Sequence, residues 1–397
     1  MNYRCLMMLF FTFSSAAQTK LPAAAICIVP VSDLLSERFS PTPSVTSADF
    51  YAALPLSERR PLAFCCRATQ LLFNEQVLII QERNDQSFVE VPFWHVKTPS
   101  TKSPSKKNNR FWTLSKNLCR TSFLSPQSLK AIPNETSLSV VTLSLPWHCV
   151  ETATTYSAGT SFILLSQKKG RYRVCLIHPL SFQPIEIFVP FSHAVSSRAR
   201  SEKEQRALLV KTAREWAHGI PHQIPYVLGG ASIVQTFTLP AVEEEMSRIG
   251  KIKGSVFNRL ECAGHPKTGL DCAGFIRLAC KVAGIPFSAT NSKTITHSLR
   301  TLHPDEPIQN GDILAWRGHV ALITDVQKGL IAEARGYEHF YGYVQEIPYA
   351  EQLKGIHTTQ ELKKASAKRK SVARLDKKGM IREIITDLTV LSLWPSR

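Results

Sequence analysis

The stretch Gly269-Leu270-Asp271-Cys272-Ala273-Gly274-Phe275-Ile276-Arg277-Leu278-Ala279-Cys280-Lys281-Val282 begins as a turn and becomes a helix. Phe275, Leu278, Ala279 and Val282 recur at helical spacing and would share one apolar side. Cys272 therefore falls at or near the helix start. Amides without an intrahelical acceptor and the positive end of the helix dipole favour a thiolate there. The same amides can donate to an oxyanion. A cysteine at a helix start is by itself more often structural than catalytic, so its meaning depends on the residues further along the chain.

Those residues read as a set of strands. Asn310-Gly311-Asp312-Ile313-Leu314-Ala315-Trp316 is a turn into a strand, and Gly318-His319-Val320-Ala321-Leu322-Ile323-Thr324-Asp325 is a second strand with His319 at its beginning. Gly318 leaves space beside the imidazole, and the pair Cys272 and His319 suggests a nucleophile and its base. A turn at Gln327-Lys328-Gly329 leads to Leu330-Ile331-Ala332-Glu333-Ala334-Arg335. Glu333 is a carboxylate among apolar neighbours, costly to bury alone, and pairing with His319 would orient the ring. Whether the two share a face depends on register. Ahead of these elements, Leu209, Ala213 and Trp216 keep helical spacing after a polar linker at about Ser196 to Arg206. The last unit is thus expected to be α+β, over residues 207–350.

Further upstream the pattern changes to short apolar runs between polar turns. Thr69-Gln70-Leu71-Leu72-Phe73, Glu75-Gln76-Val77-Leu78-Ile79-Ile80 and Phe88-Val89-Glu90-Val91 form one set. Val140-Val141-Thr142-Leu143, Thr160-Ser161-Phe162-Ile163-Leu164, Tyr172 to Ile177 and Ile185 to Val189 form another. Strands at such spacing imply two small all-β barrels, over residues 50–120 and 135–196. The loop Thr98 to Asn109 is rich in Ser, Lys, Pro and Asn. Residues 351–397 form a basic C-terminal extension holding Lys363, Lys364, Lys368, Arg369, Lys370, Arg374, Lys377 and Lys378, read as a solvated helix or tail with an apolar finish.

The whole chain has 397 residues, 44% of them hydrophobic and 20% charged, enough for several packed units and too apolar for disorder. Its net charge of +17 favours anionic surroundings. No aromatic-interleaved basic stripe or zinc-finger spacing accompanies that charge, which argues against nucleic acid as the partner. Arg4, the apolar run Cys5 to Phe11 and the small residues Ser14 to Ala17 have the layout of a secretory signal peptide, residues 1–17. The run is too short to span a membrane. The expectation is export to the periplasm or cell envelope; a cytoplasmic location applies if this segment is not a signal. Ten cysteines show no CxxC pair, so structural zinc is not expected, and Cys66, Cys149 and Cys175 read as small buried hydrophobes in strands. Their pairing is left open.

Pro225-Tyr226-Val227-Leu228-Gly229-Gly230, Asp271-Cys272-Ala273-Gly274-Phe275, Gly311-Asp312 and His319-Val320 occur in an order that resembles the NlpC/P60 cysteine peptidases. The resemblance covers about Ala207 to Ile347. It implies a papain-like α+β catalytic domain preceded by two bacterial SH3-like barrels, with weak matches at Leu72 to Val77 and Ser157 to Thr160. It further implies hydrolysis of the γ-D-glutamyl to diamino acid bond in peptidoglycan stem peptides or released muropeptides, with no metal and no cofactor. Cys272 would be the nucleophile, His319 the base and Glu333 the third polar residue, a position commonly His in the family. Tyr226 would line the cleft, and Asp271 and Glu75 would meet a free substrate amine. Asn109 stands where a further tyrosine would be. Ala273, a substrate-contact position, replaces the usual serine; Leu228 replaces a tryptophan; and Pro286-Phe287-Ser288-Ala289 replaces a Pro-Arg-Asp element. These departures bear on substrate recognition. The alternative is a non-catalytic protein that binds cell-wall peptides through a degenerate hydrolase domain.

Overall fold

The computed structural model describes residues 22–36, 67–92, 109–133, 139–198, 200–219, 223–234, 268–336, 342–368 and 370–394. The signal-peptide segment, Cys66 and most of the Thr98 to Asn109 loop lie outside them.

The first all-β unit contains β1 (Ala23–Cys27), β2 (Val31–Leu35), β3 (Arg67–Leu72), β4 (Gln76–Arg83), β5 (Gln86–Glu90), β6 (Arg110–Leu114) and β7 (Leu118–Arg120). They hydrogen-bond in the order β3-β2-β6-β5-β4-β1-β7. The unit thus begins at Ala23, well before the expected bound at residue 50. Neither early strand advertises itself: β1 is alanine-rich, and all five residues of β2 are buried, so no in–out alternation marks it. Asn74 and Asn84 take the positive φ angles at the turns into β4 and β5, which asparagine tolerates better than most residues.

The second unit contains β8 (Val140–Leu143), the small ribbon β9 (Trp147–Cys149) and β10 (Thr154–Tyr156), then β11 (Ser161–Lys168), β12 (Arg171–Ile177), β13 (Pro184–Pro190) and β14 (Ala194–Ser196). Its main sheet runs β13-β12-β11-β8-β14. In neither unit do the two terminal strands pair, so the described residues form open sheets and not the closed barrels expected. Phe73 of the first unit packs edge-on against Tyr156 of the second at 4.8 Å, joining the two. Cys149 is buried in this core and Cys175 is half-buried; both are free thiols.

The third unit starts with the helix Glu202–Ala217, earlier than expected because Ser201 and Glu204 close a capping box. Leu209, Ala213 and Trp216 are buried as their spacing requires. After the ribbon β15 (Ala231–Ser232) and β16 (Gly269–Leu270) comes the helix Cys272–Ala283, then the helix Ser292–Ser298. The sheet joins β17 (Arg300–Thr301), β18 (Ile313–Trp316), β19 (His319–Asp325), β20 (Leu330–Ala334) and β21 (Val344–Pro348). The helices Tyr349–Gln352 and Thr359–Ala367 and the hairpin β22 (Val372–Leu375) and β23 (Ile381–Ile385) come next, and β24 (Thr389–Ser392) ends the chain's described elements.

The sheet order, β17-β24-β18-β19-β20-β21, puts the last strand between two others. One face (Ile313, Ala315, Val320, Leu322, Ala332) packs with Trp216, Phe275 and Ala279. The opposite face (Leu314, Trp316, Ala321, Ile323, Ile331) is covered by Leu353, Ile356, Leu362, Val372 and Ile385. The residues expected to be a basic extension therefore belong to the α+β core, and residue 350 is not a boundary. Lys363 and Lys364 lie on a helix whose Leu362 and Ala365 are buried, so part of the basic run is the outer side of a packed element. Among the described residues no helix is long and apolar enough to cross a membrane.

Candidate active site

Cys272 is the first residue of its helix, and Asp271 is the N-cap. The Asp271 carboxylate accepts the Gly274 amide at 2.6 Å through Oδ1 and the Gly229 amide at 3.0 Å through Oδ2. It thereby ties the Pro225–Gly230 motif to the helix start. Gly274 makes the close approach possible: a Cβ there would lie 2.0 Å from the Gly230 carbonyl oxygen. Tyr226 bridges Leu270 through its backbone and lies half-buried beside Gly336. Ala273 is 1% exposed, so its side chain packs inward and offers a substrate nothing but its amide.

His319 opens β19 after Gly318, whose φ of +83° suits glycine; open space surrounds the glycine, so backbone conformation and not room for the imidazole is what that position requires. Register answers the question of the shared face. β19 pairs β20 with Leu322 opposite Ala332, which continues to Ala321 opposite Glu333. Glu333 is therefore a same-face, diagonal neighbour of His319. Its Oε2 lies 2.8 Å from His319 Nε2, with both side chains buried. Trp316, paired with His319 across the β18–β19 hairpin, packs its ring 4.8 Å from the imidazole.

The electrostatics differ from the thiolate expected at a helix start. Burial pushes the Cys272 thiol up to about 12, and the Asp271 charge adds to this, against backbone N–H contacts from Val320 and Ala273. Desolvation outweighs the helix terminus. Burial also takes His319 down to about 4, against the hydrogen bond and charge of Glu333. Burial would raise Glu333, but the charge of Arg335 and the His319 hydrogen bond hold it at about 2. The resting site is a neutral thiol, a neutral imidazole and an ionised carboxylate. With Nε2 facing Glu333, Nδ1 is the ring nitrogen not engaged by that carboxylate. Cys272 stands next to the residue after His319, through its contact with the Val320 amide.

Burial lifts Asp271 to about 6, against the Gly274 and Gly229 amides. The other acid expected at a substrate amine is elsewhere. Glu75 accepts from Lys281 Nζ at 2.6 Å and from the Leu72 amide at 2.8 Å. Lys281 is nine residues along the helix from Cys272, roughly 13 Å at the α-helical rise. Glu75 therefore docks the first β unit on the helix and does not stand at Cys272. Asn109 is buried, its amide donating to the Val91 carbonyl at 3.0 Å. The contact between units is extensive: Gln70 accepts from the Ala231 amide at 2.9 Å and the Ser232 hydroxyl at 2.7 Å, and Arg67 pairs with Asp33 while reaching the Leu228 carbonyl.

Three neighbours of the His–Glu pair were not anticipated. Arg335, 2% exposed, places Nε 3.0 Å from Glu333 Oε1. Gln352 donates to the same oxygen. Arg374, ion-paired to Glu383, lies over the Trp316 ring. Arg335 was detectable, as a charge two positions beyond Glu333 and so on the same strand face. Gln352 and Arg374 carry no such signal.

No family model matches the sequence, and no curated protein matches it. In overall fold the chain is similar to the crystal structure of an NlpC/P60 family protein from Bacillus cereus, with a TM-score of 0.52 and 18% identity over 82% of this chain and 94% of that one. At that identity the likeness is one of fold. NlpC1 and NlpC2 from Trichomonas vaginalis align over 87% and 83% of this chain and 94% of each of theirs, at 14% and 12% identity. Their TM-scores of 0.30 are too low to bear on the fold.

Proposed function

We propose that the chain is an NlpC/P60-type cysteine peptidase that hydrolyses the γ-D-glutamyl to diamino acid bond of peptidoglycan stem peptides or released muropeptides. The observation that carries this reading is the buried His319–Glu333 pair at the start of a strand whose next amide contacts Cys272, the first residue of a helix. The fold likeness to the Bacillus cereus protein supports it. As the Cys272 sulfur attacks the γ-glutamyl carbonyl carbon, its proton passes to His319, and the imidazolium gains the Glu333 charge. Amides of the helix's first turn serve the oxyanion. His319 returns the proton to the departing amine, which leaves an acyl-enzyme. Water, deprotonated by His319, then releases the acid and the thiol.

Of the two acids expected at a substrate amine, only Asp271 adjoins the nucleophile, so we assign amine recognition to it. We place the reaction in the cell envelope on the strength of Arg4 and the apolar run Cys5 to Phe11. The test is mass spectrometry of products from defined tripeptide and tetrapeptide stems, with free and blocked amino termini. Wild type should cut between D-glutamate and the diamino acid, and Cys272→Ala should not. Blocking should slow cleavage. Muropeptide binding by wild type with no cleavage would favour the binding-module alternative.

A further inference from the structure

We propose that Gln352 is a positioning residue for this site, holding the Glu333 carboxylate so that one oxygen faces His319; the inference rests on the peptidase reading for its functional meaning. Glu333 is completely buried, and its two oxygens are divided. Oε2 meets His319 at 2.8 Å, while Oε1 receives Gln352 Nε2 and lies 3.0 Å from Arg335 Nε. Arg335 alone would not enforce this division. A guanidinium prefers to take both oxygens of a carboxylate, and that rotation would withdraw Oε2 from the imidazole. The Gln352 amide occupies the second position at Oε1 and blocks the rotation.

The orientation of Gln352 is fixed as well. Its Oε1 has no hydrogen-bond partner among the described residues, and exchanging the amide atoms would face oxygen against an ionised carboxylate. The side chain is 1% exposed, at the end of the short helix Tyr349–Gln352. That helix is anchored at both ends. The Tyr349 amide donates to the Gly329 carbonyl at 2.8 Å, with the Tyr349 ring fully buried, and Leu353 bridges to Arg374 in β22. A residue beyond the motifs thus reaches back to the carboxylate that faces His319, and the C-terminal segment adjoins the site as well as the core.

Gln352→Met keeps the volume and removes the donor. Gln352→Glu restores a donor when the new carboxyl is protonated, which its proximity to Glu333 favours. Two readouts are measured from pH 5 to 8: stem-peptide kcat and KM, and the rate of iodoacetamide alkylation at Cys272, read by peptide mass spectrometry. Asp271, Arg335, Arg374 and Glu383 also act electrostatically on this cluster, so each variant is compared with wild type at the same pH. For Gln352→Met, both kcat and the alkylation rate should fall roughly tenfold, with KM within about twofold, the scale of one lost hydrogen bond to a charged group. For Gln352→Glu, both deficits should narrow as pH falls.

Alkylation and kcat within about twofold of wild type in Gln352→Met, or a pH-independent deficit in Gln352→Glu, would overturn the assignment. If Gln352→Met does not fold, the Gln352→Glu profile decides alone. A wild type that cleaves no stem peptide would refute the peptidase reading, while the alkylation profiles would still test the positioning role.

Discussion

Replacing Glu333 by Gln probes the most consequential charge arrangement in the molecule. Glu333 is 0% and Arg335 2% exposed, so the substitution leaves a buried guanidinium facing a neutral amide. Burial already draws Arg335 down to about 9 with Glu333 in place, and Arg374 adds repulsion. Removing one member of a buried pair costs about 3–5 kcal/mol, because the other charge stays buried. At about 2–4 °C per kcal/mol for a unit of this size, the melting temperature should drop by roughly 6–20 °C.

The reverse deletion should be milder. In Arg335→Met the residual carboxylate keeps His319 and Gln352, and it can also take up a proton. The double variant Glu333→Gln/Arg335→Met should recover much of the loss, giving a coupling of at least about 2 kcal/mol. Urea and thermal denaturation monitored by circular dichroism would measure the cycle. Additive losses, or a Glu333→Gln variant within about 1 kcal/mol of wild type, would refute the claim that Arg335 is there to balance Glu333.

Three further outcomes are expected. His319 falls from 6.5 to about 4 on burial. The unfolded chain therefore binds a proton that the native state refuses, and stability should decline as pH drops from about 6.5 towards 4, by up to roughly 3 kcal/mol. Glu333, held down to about 2 from 4.5, should add its own loss below about 4.5; urea titrations on wild type and His319→Gln would separate the two, and a flat profile between pH 6.5 and 4 would contradict a buried neutral imidazole. Truncation after Ala350 should leave an insoluble or unfolded product, since it removes the buried side chains of Leu353, Ile356, Leu362, Val372, Ile385, Leu388 and Val390. At about 1.5–3 kcal/mol each these represent roughly 10–20 kcal/mol, as much as a domain's whole stability; a soluble, cooperatively melting truncation would disprove the integral role of this segment. Glu75→Gln should leave KM for amine-bearing stems unchanged and cost at most about 1 kcal/mol of stability, because the partly exposed Lys281 pair is its role; a raised KM would return Glu75 to the substrate.

The sequence made Cys272, His319 and Glu333 legible as candidates because each sits where local chemistry is written in consecutive residues: an N-cap before a helical stripe, a glycine before a strand, a lone acid in an apolar run. The α+β core after Ala207 was visible for the same reason. What escaped was set by partners far along the chain. β1 and β2 lack the alternation that marks a half-exposed strand, since they are buried among strands that come later. The segment after residue 350 has the composition of a solvated tail, yet its few apolar residues are spaced to cover the second face of the sheet. Glu75 matched a position expected to meet substrate, but the contact it makes depends on Lys281, whose direction is set by how the first β unit docks on the helix. The resting protonation state was hidden for a related reason. A helix start argues for a thiolate only while it is wet, and the burial that reverses the argument comes from the fold around it. On the proposed reading the attack begins from a neutral pair, so His319 takes the proton as the sulfur attacks, and whatever orients the imidazole bears on the rate. On that reading Glu333, with Arg335 and Gln352 on its far oxygen, is what orients the ring.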